Sequence, residues 1–513
     1  MDDPNVKRRQ TLFSPRRQRF LLVSASILLQ AGVFAVMLTA FSRYFVYFYW
    51  LCVLVSLLVA LYISTRKTKL AYKMAWIIPI LVVPIIGGIM YIILGGARRP
   101  KFQKDESSRI LRQYLAPPAD PLGPLRWGPD CAQQIRYLEN AALCPAYEGT
   151  ETRYFPSGED FFPVLLEELE KAERYIFLEY FLIGGGQLWS AVLDVLIRKA
   201  QAGVDVRVMY DGVGSAASLP NDYPSALDSV GIRCRPFQPF RPVLSIHQNN
   251  RDHWKLLIID GISGAVGGMN LGDEYINRKE RFGYWKDNAL LLRGPAVWSL
   301  TVFFLTMWDE AGVQPDYDRF RPDAYPPANG ADGLVVPYAD TPFPGDTVCA
   351  DLHLQMITKA KRYVYLTTPY LIIDETMTAA LCTAARSGVD VRLMTPHIPD
   401  KKVVFAVTRS NYPVLLEAGV RIFEFTPGFL HSKVTVADDL YASVGSCNLD
   451  YRSFYLQFEN GVWMCGGTSV TDVRDDFLQT MERCREVELT DCRRLSPFVR
   501  LRNTLYRLFS PLF

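Results

Sequence analysis

The feature that most limits how this chain can fold is a repeat inside it. His253-Trp254-Lys255 is followed by four strand-forming residues, Asp260, six more residues and Gly267-Gly268-Met269-Asn270. His431-Ser432-Lys433 is followed at the same spacings by Asp438 and Gly445-Ser446-Cys447-Asn448. The surroundings repeat as well. EELEKAERYIFLEYFLI (167–183) has a counterpart in LQMITKAKRYVYLTTPYLI (354–372), each an amphipathic stretch running into β-branched and aromatic residues. AQAGVDVRVMYDG (200–212) matches AARSGVDVRLMTP (384–396), where a glycine ends a helix and an alternating strand begins. A unit of about 180 residues, present twice with a βαβ rhythm, predicts two similar α/β lobes with any shared site between them. A Pro-rich stretch (Pro117, Pro118, Pro121, Pro124, Pro129) and a Pro/Gly/Asp-rich stretch at 314–333 set the borders. The lobes are expected at 147–325 and 326–492, behind a linker at 106–146.

The chain before residue 106 has a different character. Residues 20–41 and 44–63 are free of Asp, Glu, Lys and Arg, and each is long enough as a helix to cross a hydrocarbon core of about 30 Å. A third uncharged run, 74–97, carries Pro79, Pro84 and Gly87-Gly88 in its middle, where a continuous helix loses hydrogen bonds. Basic clusters precede the first run, follow the second and follow the third, whereas the turn between runs one and two has Arg43 alone. Two spans and a re-entrant third run keep all three clusters on the cytoplasmic side, the favoured arrangement, whereas three full spans would place the last cluster and everything after it outside. A multi-pass membrane segment at 1–105, with the catalytic part in the cytoplasm, is the expectation. A cleaved signal peptide fits less well, because a second full-length run follows at once.

Composition narrows the rest. Residues 1–104 hold 15 Lys and Arg against two acids, so a net +3 for the chain leaves −10 on the remaining 409 residues, a poor match for nucleic acid. The ten cysteines are scattered with no CxxC, which predicts neither a zinc site nor a disulfide framework and favours a reducing compartment. The basic tail 493–513 has five arginines and no acid. Its Phe498, Leu501, Leu505, Leu508 and Leu512 recur at helical spacing, which suits an interfacial helix against anionic lipid as well as one packed on the domain. Phe237, Phe240, Val243 and Leu244 form a second candidate for dipping into the interface, with a buried loop an equal reading.

The repeated polar residues point to phosphodiester chemistry. Positions i and i+2 of a strand face the same side, so His253 with Lys255 and His431 with Lys433 can converge. Two ammonium groups, aided by the amides of Asn270 and Asn448, would neutralise and orient a phosphodiester. One imidazole, neutral near its ordinary pKa of about 6.5, suits a nucleophile, and a second suits a proton donor. Asp260 and Asp438 complete the catalytic sequence, with a structural role the more natural one. Asp287 in YWKDN and Glu459 in QFEN are placed to hold a His ring through its other nitrogen. No metal and no other cofactor is expected, since the lysines supply the charge.

HxK-x4-D-x6-G-[GS]-x-N, present twice, resembles the signature of the phospholipase D superfamily. MAWIIPILVVPIIGGIMYIILG, FGYWKDN (282–288), NLDYRSFYLQFEN (448–460) and the tail ending LFSPLF extend the resemblance to bacterial cardiolipin synthases over nearly the whole chain. Trp254 and Gln457 depart from what many relatives carry, and neither removes a catalytic atom. The resemblance implies two tandem phospholipase D-like lobes forming one pseudo-twofold unit, a phosphohistidine on one motif histidine and the other as general acid and then base; His253 is taken as the nucleophile and His431 as the acid, an assignment that the symmetry of the motifs leaves open. It implies a bacterial membrane enzyme that joins two phosphatidylglycerols on an anionic bilayer, and it leaves homo-oligomer formation open. Transfer to another alcohol or to water is the alternative within the class. A non-catalytic membrane scaffold is the alternative outside it, disfavoured by two intact motifs.

Overall fold

The computed structural model describes residues 15–40, 42–66, 69–94, 101–115, 127–239, 250–310, 316–326, 330–331, 333–343, 347–493 and 496–510. They divide into an N-terminal helical unit and a large α/β unit.

The N-terminal unit contains the helices Pro15–Ala40, Ser42–Thr65, Leu70–Val82 and Pro84–Leu94. Within the second, Val46–Thr65 is a 20-residue stretch with mean hydropathy 2.3, long and apolar enough to cross a bilayer. The third apolar run does not continue as one helix. Val83 interrupts it, and the Trp76 and Tyr91 rings lie 5.5 Å apart, whereas fifteen residues of straight helix would separate them by about 22 Å. The chain therefore doubles back at Val83 and Pro84. Gly87 permits the close return, because a Cβ there would lie 2.5 Å from the Ile80 Cα. The carbonyl of Pro84 accepts a hydrogen bond from Ser56 Oγ at 3.3 Å, so a neighbouring helix satisfies a backbone group at the bend.

In the large unit the repeat becomes two sheets of matching topology. The first orders its strands as Glu151–Phe155, Ala289–Arg293, Ser263–Gly267, Lys255–Ile259, Tyr175–Tyr180, Asp205–Asp211 and Arg233–Phe237. The second reads Gly333–Asp340, Glu459–Gly466, Tyr441–Gly445, Val434–Ala437, Tyr363–Thr367, Asp390–Pro396 and Arg421–Phe425, then adds Cys484–Glu486 at the edge. In both, three parallel strands joined by helices adjoin an antiparallel meander that starts from the HxK strand. The repeated helix-to-strand segments fall where the sequence places them: helix Gly158–Glu170 into strand Tyr175–Tyr180, and helix Val348–Lys359 into strand Tyr363–Thr367. Val, Ile, Leu and Phe fill these strands because both sheet faces are covered.

Two expectations change, and one open choice is decided. The described part of the 106–146 linker carries the helix Pro129–Ala141, packed on the second lobe: Trp463 Nε1 donates to Gln134 Oε1 at 3.0 Å, and Tyr147 pairs with Val335. Cys131 on this helix forms a disulfide with Cys465, 334 residues away. Scattered cysteines with no short-range pattern gave no warning of a pair made by tertiary packing. Of the two readings for Phe237 the buried one holds, against Phe458, while Phe240, Val243 and Leu244 lie outside the described residues.

Candidate active site

Strand geometry explains the spacing of each motif. In the first lobe the HxK triplet opens the strand Lys255–Ile259, Asp260 turns the chain at φ 54°, and the antiparallel strand Ser263–Gly267 returns Gly268 and Asn270 to the HxK end. Five residues of strand put Asp260 roughly 16 Å from Lys255. Its carboxylate there accepts the backbone N–H groups of Glu173, Arg174 and Tyr175 at 2.8, 2.8 and 2.7 Å. Asp438, at φ 58°, accepts those of Lys361, Arg362 and Tyr363 at 2.7, 2.8 and 2.9 Å. The two aspartates grouped with the catalytic residues by sequence are thus anchors of the helix-to-strand turns and do not reach the histidines.

The other acids do reach them, and they cross between lobes. His253 Nδ1 lies 3.0 Å from both carboxylate oxygens of Glu459, and His431 Nδ1 lies 2.7 Å from Asp287 Oδ2. Each lobe supplies the histidine of one pair and the acid of the other. Backbone pairing enforces the exchange: His253 N donates to Phe458 O at 3.0 Å, and His431 N donates to Lys286 O at 2.7 Å, the residues just before the two acids. Gly428–Leu430 runs parallel to Tyr284–Lys286 as a two-stranded cross-lobe sheet, and Asp252 forms the matching bridge to Phe458. With Nδ1 committed to a carboxylate, Nε2 of each ring is the nitrogen left for phosphorus or a proton.

The lysines complete a buried polar cluster. Lys255 Nζ donates to His253 O at 2.5 Å and Lys433 Nζ donates to His431 O. Burial pulls the Lys255 ammonium down to about 7, against the pull of Glu459, and Lys433 down to about 8, against Asp287. His253 is held well below its ordinary value by burial and by the charges of Lys255 and Lys433. His431 is held at about 4 by burial and Lys433, with Asp287 opposing. Burial works to raise Asp287, yet His431 and Lys433 bring it below the usual carboxylate range; Glu459 is pushed well above it by burial, which outweighs Lys255 and Ser446. An anion entering between the lysines would relieve the desolvated ammonium groups.

Neighbouring residues fix this cluster. Asn270 accepts from Leu182 N at 3.2 Å and donates to the Tyr275 hydroxyl at 2.7 Å, and the Tyr275 ring packs on His431 with centroids 5.6 Å apart. Asn448 is buried beside the second motif, where its backbone N–H donates to Ser453 Oγ at 3.2 Å. Residues outside the motifs also take part. Phe181 packs against His253 at 5.2 Å and beneath the Lys255 ammonium at 5.5 Å. The buried Arg251 donates from Nε to Asp211 Oδ2 at 2.8 Å, and Asp211 also accepts Asp252 N, which locks the segment leading to His253. Lys401 sits over the Tyr370 ring at 4.7 Å, and its charge is felt at His253. A charge ending the apolar strand VMYD was a legible sign for Asp211. Lys401, in the exposed-looking run PDKK, offered none.

Two such lobes, exchanging His–acid pairs around two lysines, define an enzyme of phosphodiester transfer in the phospholipase D superfamily. Residues 353–481 match the family described as "Cardiolipin synthase, PLD-like domain", and residues 49–96 match "Phospholipase D-nuclease N-terminal". The chain is 37% identical over 465 residues to a cardiolipin synthase of Geobacillus kaustophilus, covering 88% of this chain and 91% of the relative. An uncharacterized protein of Streptococcus mutans is 38% identical over 456 residues, covering 88% and 99%. The chain belongs to the cardiolipin synthase family. A crystal structure of phosphatidylserine synthase from Haemophilus influenzae shares the fold, with TM-score 0.57 and 14% identity over 74% of this chain and 100% of that one.

Proposed function

We propose that this protein is a phosphatidyltransferase that joins two phosphatidylglycerols into cardiolipin and releases glycerol. The observation that carries the reading is the pair of crossed His–carboxylate contacts, which gather both HxK triplets and both lysines at one locus. The phosphodiester lies between Lys255 and Lys433, and Nε2 of neutral His253 attacks phosphorus. The bond from phosphorus to the leaving glycerol oxygen breaks, and His431, whose protonated form the bound phosphodiester anion and Asp287 favour, gives that oxygen its proton. Neutral His431 then takes the proton from a glycerol hydroxyl of the second lipid. That oxygen attacks phosphorus and His253 leaves. His431 suits the acid–base role because Asp287, itself held below the usual carboxylate range, opposes the depression of its ring, and His253, held well below its ordinary value, suits the nucleophile. Membership of the cardiolipin synthase family supports phosphatidylglycerol as both donor and acceptor.

The N-terminal unit, in this reading, anchors the enzyme in the bacterial cell membrane with two spans and a re-entrant hairpin over 70–94, leaving both ends of the segment inside. The reversal at Val83 supports it: helices of 13 and 11 residues are each too short for a core of about 30 Å. Cysteines introduced at Asn5 and Lys104, with native cysteines removed, should both resist a membrane-impermeant thiol reagent in intact cells. Labelling at Lys104 alone would mean three spans.

Purified protein supplied with phosphatidylglycerol alone should yield cardiolipin and glycerol in equal amounts by mass analysis, in EDTA as in buffer. Phosphatidic acid with no cardiolipin would instead make water the acceptor, and no product at all would leave a scaffold.

A further inference from the structure

The C-terminal helix Pro497–Phe509 is docked with its apolar side facing out. Ser496 caps it, its Oγ accepting from Val499 N at 3.3 Å. At 100° per residue Phe498, Leu501 and Leu505 form one stripe. A helix that served only to cover the domain would turn that stripe inward. Here Phe498 is 76% exposed, Leu501 59% and Leu505 49%, while the buried residue on the docked side is Asn503. The helix packs on Lys402–Ser410, and the lining of a cavity of about 210 Å³ between them includes Lys402, Arg485 and Arg502, with Asp491 as the lining acid, while Arg409 is paired with the buried Glu424 at 2.6 Å. Val403, on the same neighbouring helix, is 41% exposed.

We propose that this stripe, with the basic cleft beside it, is the surface by which the catalytic unit rests on an anionic phospholipid bilayer. The proposal builds on the reading of the protein as an enzyme of anionic phospholipid. Charge selects the occupant: residues 493–513 hold five arginines and no acid. A second copy would bring the same arginines together, whereas phosphate headgroups would meet them and acyl chains would take up Phe498, Leu501 and Leu505. Position supports it too. The helix Lys402–Ser410 begins one residue after Lys401, which sits over Tyr370 and whose charge reaches His253, so the docking surface and the catalytic cluster are joined by one short helix.

The test uses the full chain with Cys52, Cys484 and Cys492 changed to Ser, carrying a spin label at Phe498→Cys, Leu501→Cys, Leu505→Cys or, on the opposite side, Arg507→Cys. In proteoliposomes of phosphatidylglycerol and phosphatidylcholine, labels at 498, 501 and 505 should be more accessible to oxygen than to a water-soluble nickel chelate, and the label at 507 the reverse. Water-accessible labels at all three positions, or spin–spin broadening from a second copy, would overturn the proposal. Independently, the variant F498S/L501S/L505S should raise KM for phosphatidylglycerol in bilayers at least about tenfold, given the apolar area withdrawn from lipid. Its turnover of monomeric short-chain phosphatidylglycerol should stay at the wild-type level, which also reports that it folds. An unchanged bilayer KM would overturn docking. Absence of cardiolipin from the wild type with either substrate would instead refute the proposed activity, and the label depths would still be readable.

Discussion

The two lobes repeat one strand order, yet they hold their histidines with different tools. The first lobe offers His431 a short acid, Asp287, packed against Gly268; the second offers His253 a longer one, Glu459, bonded by Ser446 Oγ at 2.5 Å. The glycine is required where it stands, since a Cβ on Gly268 would collide with Asp287 Oδ1. The serine is useful where it stands, because Glu459 is desolvated and needs a donor. The variable [GS] position is therefore matched to the acid it touches. A duplicated scaffold has become chemically unequal, with His431 beside a carboxylate held below its ordinary value and His253 beside one pushed above it. Two rings beside acids shifted in opposite directions allow one to attack while the other moves protons.

The severest way to break the comparison is to remove each ring. His253→Ala and His431→Ala should each lose cardiolipin synthesis by on the order of 10⁴-fold or more, because the pair acts as a unit. A phosphatidyl ester of p-nitrophenol separates their roles, since that leaving group needs no proton. His431→Ala should still release a burst of nitrophenol, and His253→Ala should release none; the opposite result would exchange the assignments.

Next come the lysines. Lys255→Ala and Lys433→Ala should each cost about 3 kcal/mol in kcat/KM, the scale for losing a fixed donor to a charged transition state. Near-normal rates in either would show that one lobe carries the phosphate alone.

Exchanging the acid-supporting residues sharpens the comparison further. Gly268→Ser should cost about 10²-fold in kcat by displacing Asp287. Ser446→Gly should cost only about tenfold, one hydrogen bond to a buried carboxyl group. Equal effects would mean that the two supports are interchangeable.

The pH profile gives a smaller, directional effect. His253 attacks as a neutral ring and burial depresses its protonation, so the acid limb of kcat/KM should fall below the ordinary histidine value of about 6.5. The alkaline limb should follow loss of ammonium charge from Lys255, at about 7, and Lys433, at about 8. Lys255→Arg should move that limb upward, since guanidinium does not titrate there. The smallest kinetic effect belongs to Asp260→Asn and Asp438→Asn. Each should lower unfolding free energy by about 1–3 kcal/mol while leaving the pH profile in place, because each anchors three backbone N–H groups away from the site.

What the sequence determined by itself is what local periodicity and spacing encode. The duplicated lobes, the helix-to-strand segments, the HxK strands with histidine and lysine on one side, and Asp287 and Glu459 as holders of the rings were all legible, because each is a relation among residues a few positions apart or a repeat of such relations. Tertiary structure decided which acid serves which ring. Those partners are separated by 206 and 144 residues, and no spacing within either lobe distinguishes a pair inside a lobe from a pair across two. The same reason covers the Cys131–Cys465 bond and the place of Lys401 beside the site. It also covers the outward turn of Phe498, Leu501 and Leu505. A helical stripe fixes which residues share a face, and only the packing of the whole chain fixes which way that face is turned.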